Sequence, residues 1–109
     1  MTRYAHITGW GMAVPERVMT NEEISRLVDT NDEWIQSRTG IRERRVAGSK
    51  DTTTSLAIQA AQRALEVADI APEDIELIIV ATCTPEYPFP APACLVQDAI
   101  GAAKAGAFD

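Results

Sequence analysis

Trp34 and Arg38 stand four residues apart in the run Asp32-Glu33-Trp34-Ile35-Gln36-Ser37-Arg38-Thr39-Gly40-Ile41-Arg42-Glu43-Arg44-Arg45. In a helix, residues at that separation share one face, a turn apart. An indole there offers a flat stacking surface, and a guanidinium beside it offers a fork for phosphate. The pair suits a nucleotide-bearing ligand such as coenzyme A. The same pattern also suits a plainer arrangement, with Trp34 packed as the staple of a short helix. Arg38 and Arg42 would then pair with Glu33 and Glu43 on a solvated face, each exposed pair contributing at most ~1 kcal/mol.

Charge places this run in an unusual setting. The chain of 109 residues carries a net charge of −6, from 16 acidic and 10 basic residues. That balance argues against a general nucleic-acid binder, which needs a basic surface. Half of the basic residues nevertheless fall between Arg38 and Lys50, as a local anion site on an acidic protein would require. At 46% hydrophobic residues, a packed core is within reach. The only histidine is His6, and Cys83 and Cys94 form no CxxC, so a metal site has too few ligands. Cysteine usage points to reduced thiols and a cytoplasmic protein. The opening residues lack an apolar signal segment, and no stretch approaches the roughly 18 apolar residues of a membrane span.

The elements that must position the Trp–Arg pair are legible in the spacing. Residues 4–14 read as a strand, with Gly9 and Gly11 marking a bulge or close backbone approach, and Pro15 ends it. Thr20 and Glu23 form a capping-box pattern that starts a helix through Val28, with Ile24, Leu27 and Val28 as its apolar face. Asp29-Thr30-Asn31 breaks that helix and caps a second, Asp32 to Ser37, which Gly40 ends. Ile41 to Val46 reads as extended. Asp51 opens a long helix over Thr53–Ala68, whose seam of Leu56, Ala57, Ala60, Ala61, Ala64, Leu65 and Ala68 signals close packing. After a turn at Pro72-Glu73-Asp74, the apolar run Ile75–Thr82 suits a strand covered on both faces. Pro85, Pro88, Pro90 and Pro92 make a stiff loop carrying Tyr87 and Phe89. A helix from Pro92 to Ile100 and a strand at Ala107-Phe108-Asp109 follow. This order is α/β, and a sheet strand at the last residues reads as a truncated domain. Cys94 in its apolar helix pattern, Cys83 at a strand end and His6 in a strand all read as structural residues, the cysteines as buried ones.

In these stretches the chain resembles β-ketoacyl-acyl-carrier-protein synthase III, a thiolase-superfamily condensing enzyme. The match runs through Gly9-Trp10-Gly11 to Pro15, Thr20-Asn21, Asp29 to Ile35, Arg38 to Arg44, Val80-Ala81-Thr82, Phe89-Pro90, Ala93-Cys94 with Gln97, and Gly101 to Asp109. The resemblance implies a thiolase-like fold of α/β/α/β/α layers, with residues 1–109 as most of the N-terminal half. It implies decarboxylative condensation of acyl-CoA with malonyl-acyl carrier protein in the initiation of fatty acid biosynthesis, by a cytoplasmic homodimer.

The same resemblance puts the catalytic Cys, His and Asn beyond Asp109, so the chain alone is expected to be inactive. It assigns coenzyme A recognition to Trp34, Arg38, Thr30 and Thr39, with Trp34 under the adenine and Arg38 at the phosphates. Phe89 would reach the partner's acyl pocket across the dimer. Arg42, Arg44 and Arg45 are expected in structural ion pairs. Acyl-CoA would be a substrate rather than a resident cofactor. Ala81-Thr82-Cys83-Thr84-Pro85-Glu86-Tyr87 departs from the commoner Ser/Ala-rich loop, which leaves chain-length preference open. A related acyltransferase or a polyketide starter synthase is the alternative on the same scaffold. A non-catalytic coenzyme A-binding module is the alternative of another class.

Overall fold

A computed structural model describes residues 1–109, which divide into two compact units, Val14–Asp51 and Met1–Ala13 with Thr52–Asp109.

In Val14–Asp51 the elements are β1 (Arg17–Thr20), α1 (Asn21–Ser25), α2 (Asp32–Thr39) and β2 (Glu43–Val46). β1 and β2 pair antiparallel, with Arg17 opposite Val46 and Thr20 opposite Glu43. β1 is absent from the sequence reading, and β2 is shorter than the extended run Ile41–Val46. The capping box forms as expected: Glu23 N–H donates to Thr20 Oγ1 at 3.2 Å, and Thr20 N–H donates to the Glu23 carboxylate at 2.9 Å. α1 stops at Ser25 rather than Val28, and the chain turns there through hydrogen bonds from the Leu27 and Val28 N–H groups to Ile24 O. Asn31 caps α2, accepting from Trp34 N–H at 2.8 Å. Gly40 closes α2 at φ 72°, a left-handed conformation that favours glycine.

In the other unit α3 (Thr53–Ala68) is followed by a 3₁₀ turn at Pro72–Asp74, β3 (Leu77–Ile79), α4 (Pro92–Ile100) and β4 (Gly106–Phe108). β3 and β4 are parallel neighbours, with Ile78 opposite Ala107, and α4 is the crossover between them. α3 packs on α4. Ala93, Val96, Ala102 and Ala105 are buried around α4 and the connection to β4. Pro92 supplies the first helical position, where a missing N–H costs nothing. Asp109 Oδ1 accepts from Ala93 N–H at 3.0 Å, capping a helix whose own N-cap, Ala91, has no side chain for the task.

Several expectations need correction here. Residues 4–14 form no strand here, because they have no ladder partner among these residues. The glycine reading holds in another form: a Cβ on Gly9 would lie 2.5 Å from Ala64 O, and one on Gly11 2.7 Å from Ala64 N. The alanine seam of α3 is what lets this segment lie so close, and Arg63 donates to Met12 O across the same contact. α3 is capped by Thr52, not opened by Asp51. β3 is shorter than Ile75–Thr82, and within these residues Leu77 and Ile79 are more than half exposed. His6 is exposed outside any strand. Cys83 and Cys94 are exposed: Cys83 sits in the loop after β3, and Cys94 lies off the α4 face that buries Ala93 and Val96. No helix is long and apolar enough to cross a membrane.

The proline-rich loop is fastened to α3 by Glu86, a residue to which the sequence reading gives no role of its own. Glu86 accepts from the Thr54 backbone N–H with one oxygen and from Thr54 Oγ1 at 2.6 Å with the other, while Thr53 Oγ1 donates to Thr84 O at 2.9 Å. Desolvation alone would raise the Glu86 pKa. Hydrogen bonds from Thr52, Thr54 and the backbone outweigh it and bring the carboxyl from its ordinary 4.5 down to about 2. A carboxyl depressed on folding stabilises the fold above its unfolded pKa and loses that contribution as pH falls through its folded one. Glu86→Gln is therefore expected to cost about 1 kcal/mol, in the range of lost helix caps. Denaturant unfolding should show the gap to wild type at full size above pH 4.5, closing as pH falls toward 2. A gap that is independent of pH would contradict this role.

Candidate functional site

A cleft of about 470 Å³ opens in Val14–Asp51 between α1 and α2. Ile24 and Val28 line it from α1 and the turn that follows, and Trp34 and Ile35 line it from α2. Asp29, Thr30 and Asn31 form the connecting stretch. The early end of α1 leaves Val28 free to line the cleft rather than continue a helix face.

Trp34 is 55% exposed, so it is not the packed staple of the plainer reading. The guanidinium carbon of Arg38 stands 5.9 Å from the centre of the Trp34 ring, within cation–π range. Arg38 has no carboxylate at ion-pair distance, since the one ion pair in the chain is Arg26 with Glu22 at 2.9 Å, both largely exposed. An exposed indole thus borders the cleft, with a guanidinium free of carboxylates over its ring and just outside the cleft lining.

Thr30 Oγ1 is buried and has no hydrogen-bond partner among these residues. Buried polar atoms are normally satisfied, so an orphaned hydroxyl at a cleft is a ready donor or acceptor for a ligand. Thr39 is placed differently. Its hydroxyl donates to Ile35 O at 2.7 Å and accepts from Ile41 N–H at 3.1 Å, which occupies it at the C-terminal end of α2 and away from the cleft lining. Phe89 lies in the other unit, 86% exposed on the proline-rich loop.

Arg42, Arg44 and Arg45 form no ion pairs, contrary to expectation. Arg44 donates to Asn21 Oδ1 at 2.7 Å and to Met19 O at 3.2 Å, and Arg45 donates to Pro15 O at 2.8 Å. Arg42 acts only at longer range, as the last of the influences on Asp32. The Asp32 carboxyl is held below the usual carboxylate range first by the Asn21 side chain and then by Gln36, with burial opposing them. Asn21 is the residue sequence reasoning missed. At the start of a helix it reads as another small polar cap, and its partners at residues 32, 41 and 44 are distant along the chain.

No protein-family model matches the chain. Individual proteins do. A β-ketoacyl-[acyl-carrier-protein] synthase III of Roseiflexus sp. is 59% identical over 109 residues, covering 100% of this chain and 33% of the relative. The crystal structure of 3-oxoacyl-[acyl-carrier-protein] synthase III from Aquifex aeolicus superposes with a TM-score of 0.88 at 50% identity, covering 94% of this chain and 33% of that one. The priming β-ketosynthase of a polyketide biosynthetic pathway superposes at 0.92 with 36% identity, covering 98% of this chain and 32% of that one. These neighbours define the class as the thiolase-like α/β fold. Within it, the chain is similar along its whole length to β-ketoacyl-[acyl-carrier-protein] synthase III proteins and spans about a third of the length of the curated relatives it matches.

Proposed function

We propose that this chain supplies the coenzyme A-binding edge of a condensing enzyme. That enzyme joins a short acyl group from acyl-CoA to malonyl-acyl carrier protein at the start of fatty acid biosynthesis. The observation that carries the reading is the Trp34–Arg38 platform beside the orphaned Thr30 hydroxyl, in a chain similar along its whole length to synthase III sequences. Trp34 would stack on the adenine, Thr30 would meet a polar edge of the ligand, and Arg38 would face phosphate. Thr39, with its hydroxyl occupied, would act by closing α2 beneath Arg38.

The chemistry itself belongs to a Cys, a His and an Asn outside these residues, and the 109 residues alone would not turn over. The Cys thiolate attacks the thioester carbon of acyl-CoA, and the coenzyme A thiolate leaves. Malonyl-acyl carrier protein then loses carbon dioxide, its carbanion attacks the acyl-enzyme, and the Cys thiolate is released. The protein would act as a cytoplasmic homodimer, with Phe89 presented to the partner's acyl pocket.

Labelling the full-length protein with a thiol-reactive acyl-CoA analogue tests this reading. A single fast-labelled Cys other than Cys83 and Cys94, with condensation of acetyl-CoA and malonyl-acyl carrier protein, is the expected result. Labelling confined to Cys83 and Cys94 would leave only a coenzyme A-binding role. The superposition on a priming polyketide ketosynthase favours a second reading, a starter synthase. A preference for longer acyl-CoA primers over acetyl-CoA would select it.

A further inference from the structure

The two walls of the cleft come from different helices, so their separation must be fixed by something outside the cleft. α1 has 5 residues, too few to hold its place by its own hydrogen bonds. Its first residue, Asn21, is 1% exposed. The Asn21 side-chain amide donates to Asp32 Oδ1 at 2.8 Å and to Ile41 O at 2.7 Å, and its carbonyl oxygen accepts from Arg44 at 2.7 Å. Its backbone N–H donates to Arg42 O at 3.2 Å. Since Asp32 opens α2, one buried side chain ties the first residue of α1 to the first residue of α2.

We infer that Asn21 is a positioning residue for nucleotide recognition: its amide sets α1 against α2, and with it the width of the cleft between Ile24 and Trp34. The inference rests on reading that cleft as the coenzyme A site. Only an amide side chain of this size serves all the partners. An aspartate would keep the bond from Arg44, lose both donations and set a carboxylate against that of Asp32. A leucine would leave Ile41 O and the Arg44 guanidinium short of partners in a buried place. Widening the cleft would part a stacked base from the Thr30 hydroxyl on the connecting stretch. Arg38, one turn further along α2, would be little affected.

Calorimetric titration of the full-length protein with coenzyme A and with phosphopantetheine, which lacks the adenosine portion, separates the possibilities. Asn21→Asp should weaken coenzyme A binding about tenfold, the size of one lost buried hydrogen bond, and leave phosphopantetheine binding unchanged. The exchange variant Asn21→Asp/Asp32→Asn restores a donor–acceptor pair between the helices and should recover most of the lost affinity. Three results would overturn the inference: wild-type coenzyme A affinity in Asn21→Asp, equal weakening of both ligands, or no recovery in the exchange variant. Wild-type protein that binds coenzyme A no more tightly than phosphopantetheine would instead overturn the reading of the cleft, and the inference with it.

Discussion

Trp34→Ala is expected to weaken coenzyme A binding by roughly tenfold to a hundredfold, because stacking of a base on an aromatic ring contributes about 1–3 kcal/mol. The indole is more than half exposed and borders the cleft rather than the core, so its removal should cost little stability. That separation of effects is what distinguishes a ligand platform from a packing residue. Arg38→Ala should weaken binding less, since an exposed guanidinium meets phosphate through water and salt screening. The two substitutions should not add. Arg38 stands over the same ring, so losing Trp34 also frees the guanidinium from its cation–π contact. Trp34→Phe should recover part of the affinity by restoring a ring. Titration of the variants with coenzyme A, beside denaturant unfolding, checks this. Unchanged affinity in Trp34→Ala, or a loss of affinity that merely follows a loss of stability, would remove Trp34 from the site.

The parts legible from sequence are those governed by neighbours in the chain. α3 and α4 begin and end at Thr53–Ala68 and Pro92–Ile100, where periodicity and a leading Pro92 predict them. The Trp34–Arg38 geometry follows equally from their spacing within one helix. What sequence reasoning missed depends on partners far along the chain. β1 is a strand because β2 lies opposite it, yet its side chains are mostly exposed and give no alternating pattern. Residues 4–14 have the composition of a strand without a ladder to join. Asn21 and Glu86 are ordinary polar residues until the fold brings up Asp32, Ile41 and Arg44 to one, and Thr54 to the other. Cys94 reads as buried because α4 is apolar at most of its positions, so its pattern alone does not single out the packed side.

Gly11→Ala should be the most destabilising single-methyl change in the chain, costing about 3 kcal/mol or more, at or beyond the upper end for overpacked sites. The reason is the identity of the neighbours rather than crowding alone. A Cβ at Gly11 would run into the backbone of α3, overlapping Ala60 O and lying 2.7 Å from Ala64 N. A flexible side-chain tip can swing aside, but a helix backbone cannot yield without breaking its own hydrogen bonds. The N-terminal segment would have to lift away from the alanine seam, giving up the bond from Arg63 to Met12 O as it went. Gly48→Ala is the matched control. Its Cβ would meet only Asp51 Oδ2 at 3.4 Å, an ordinary contact, so the change should stay within about 0.5 kcal/mol. Gly40→Ala falls between them for a different reason: nothing crowds that position, but φ 72° costs an alanine about 1–2 kcal/mol. Denaturant unfolding of the three variants should therefore rank Gly11→Ala below Gly40→Ala below Gly48→Ala in stability. If Gly11→Ala proved as stable as Gly48→Ala, the segment would not lie against α3 as closely as the fold requires, and the small residues along that helix would need another explanation.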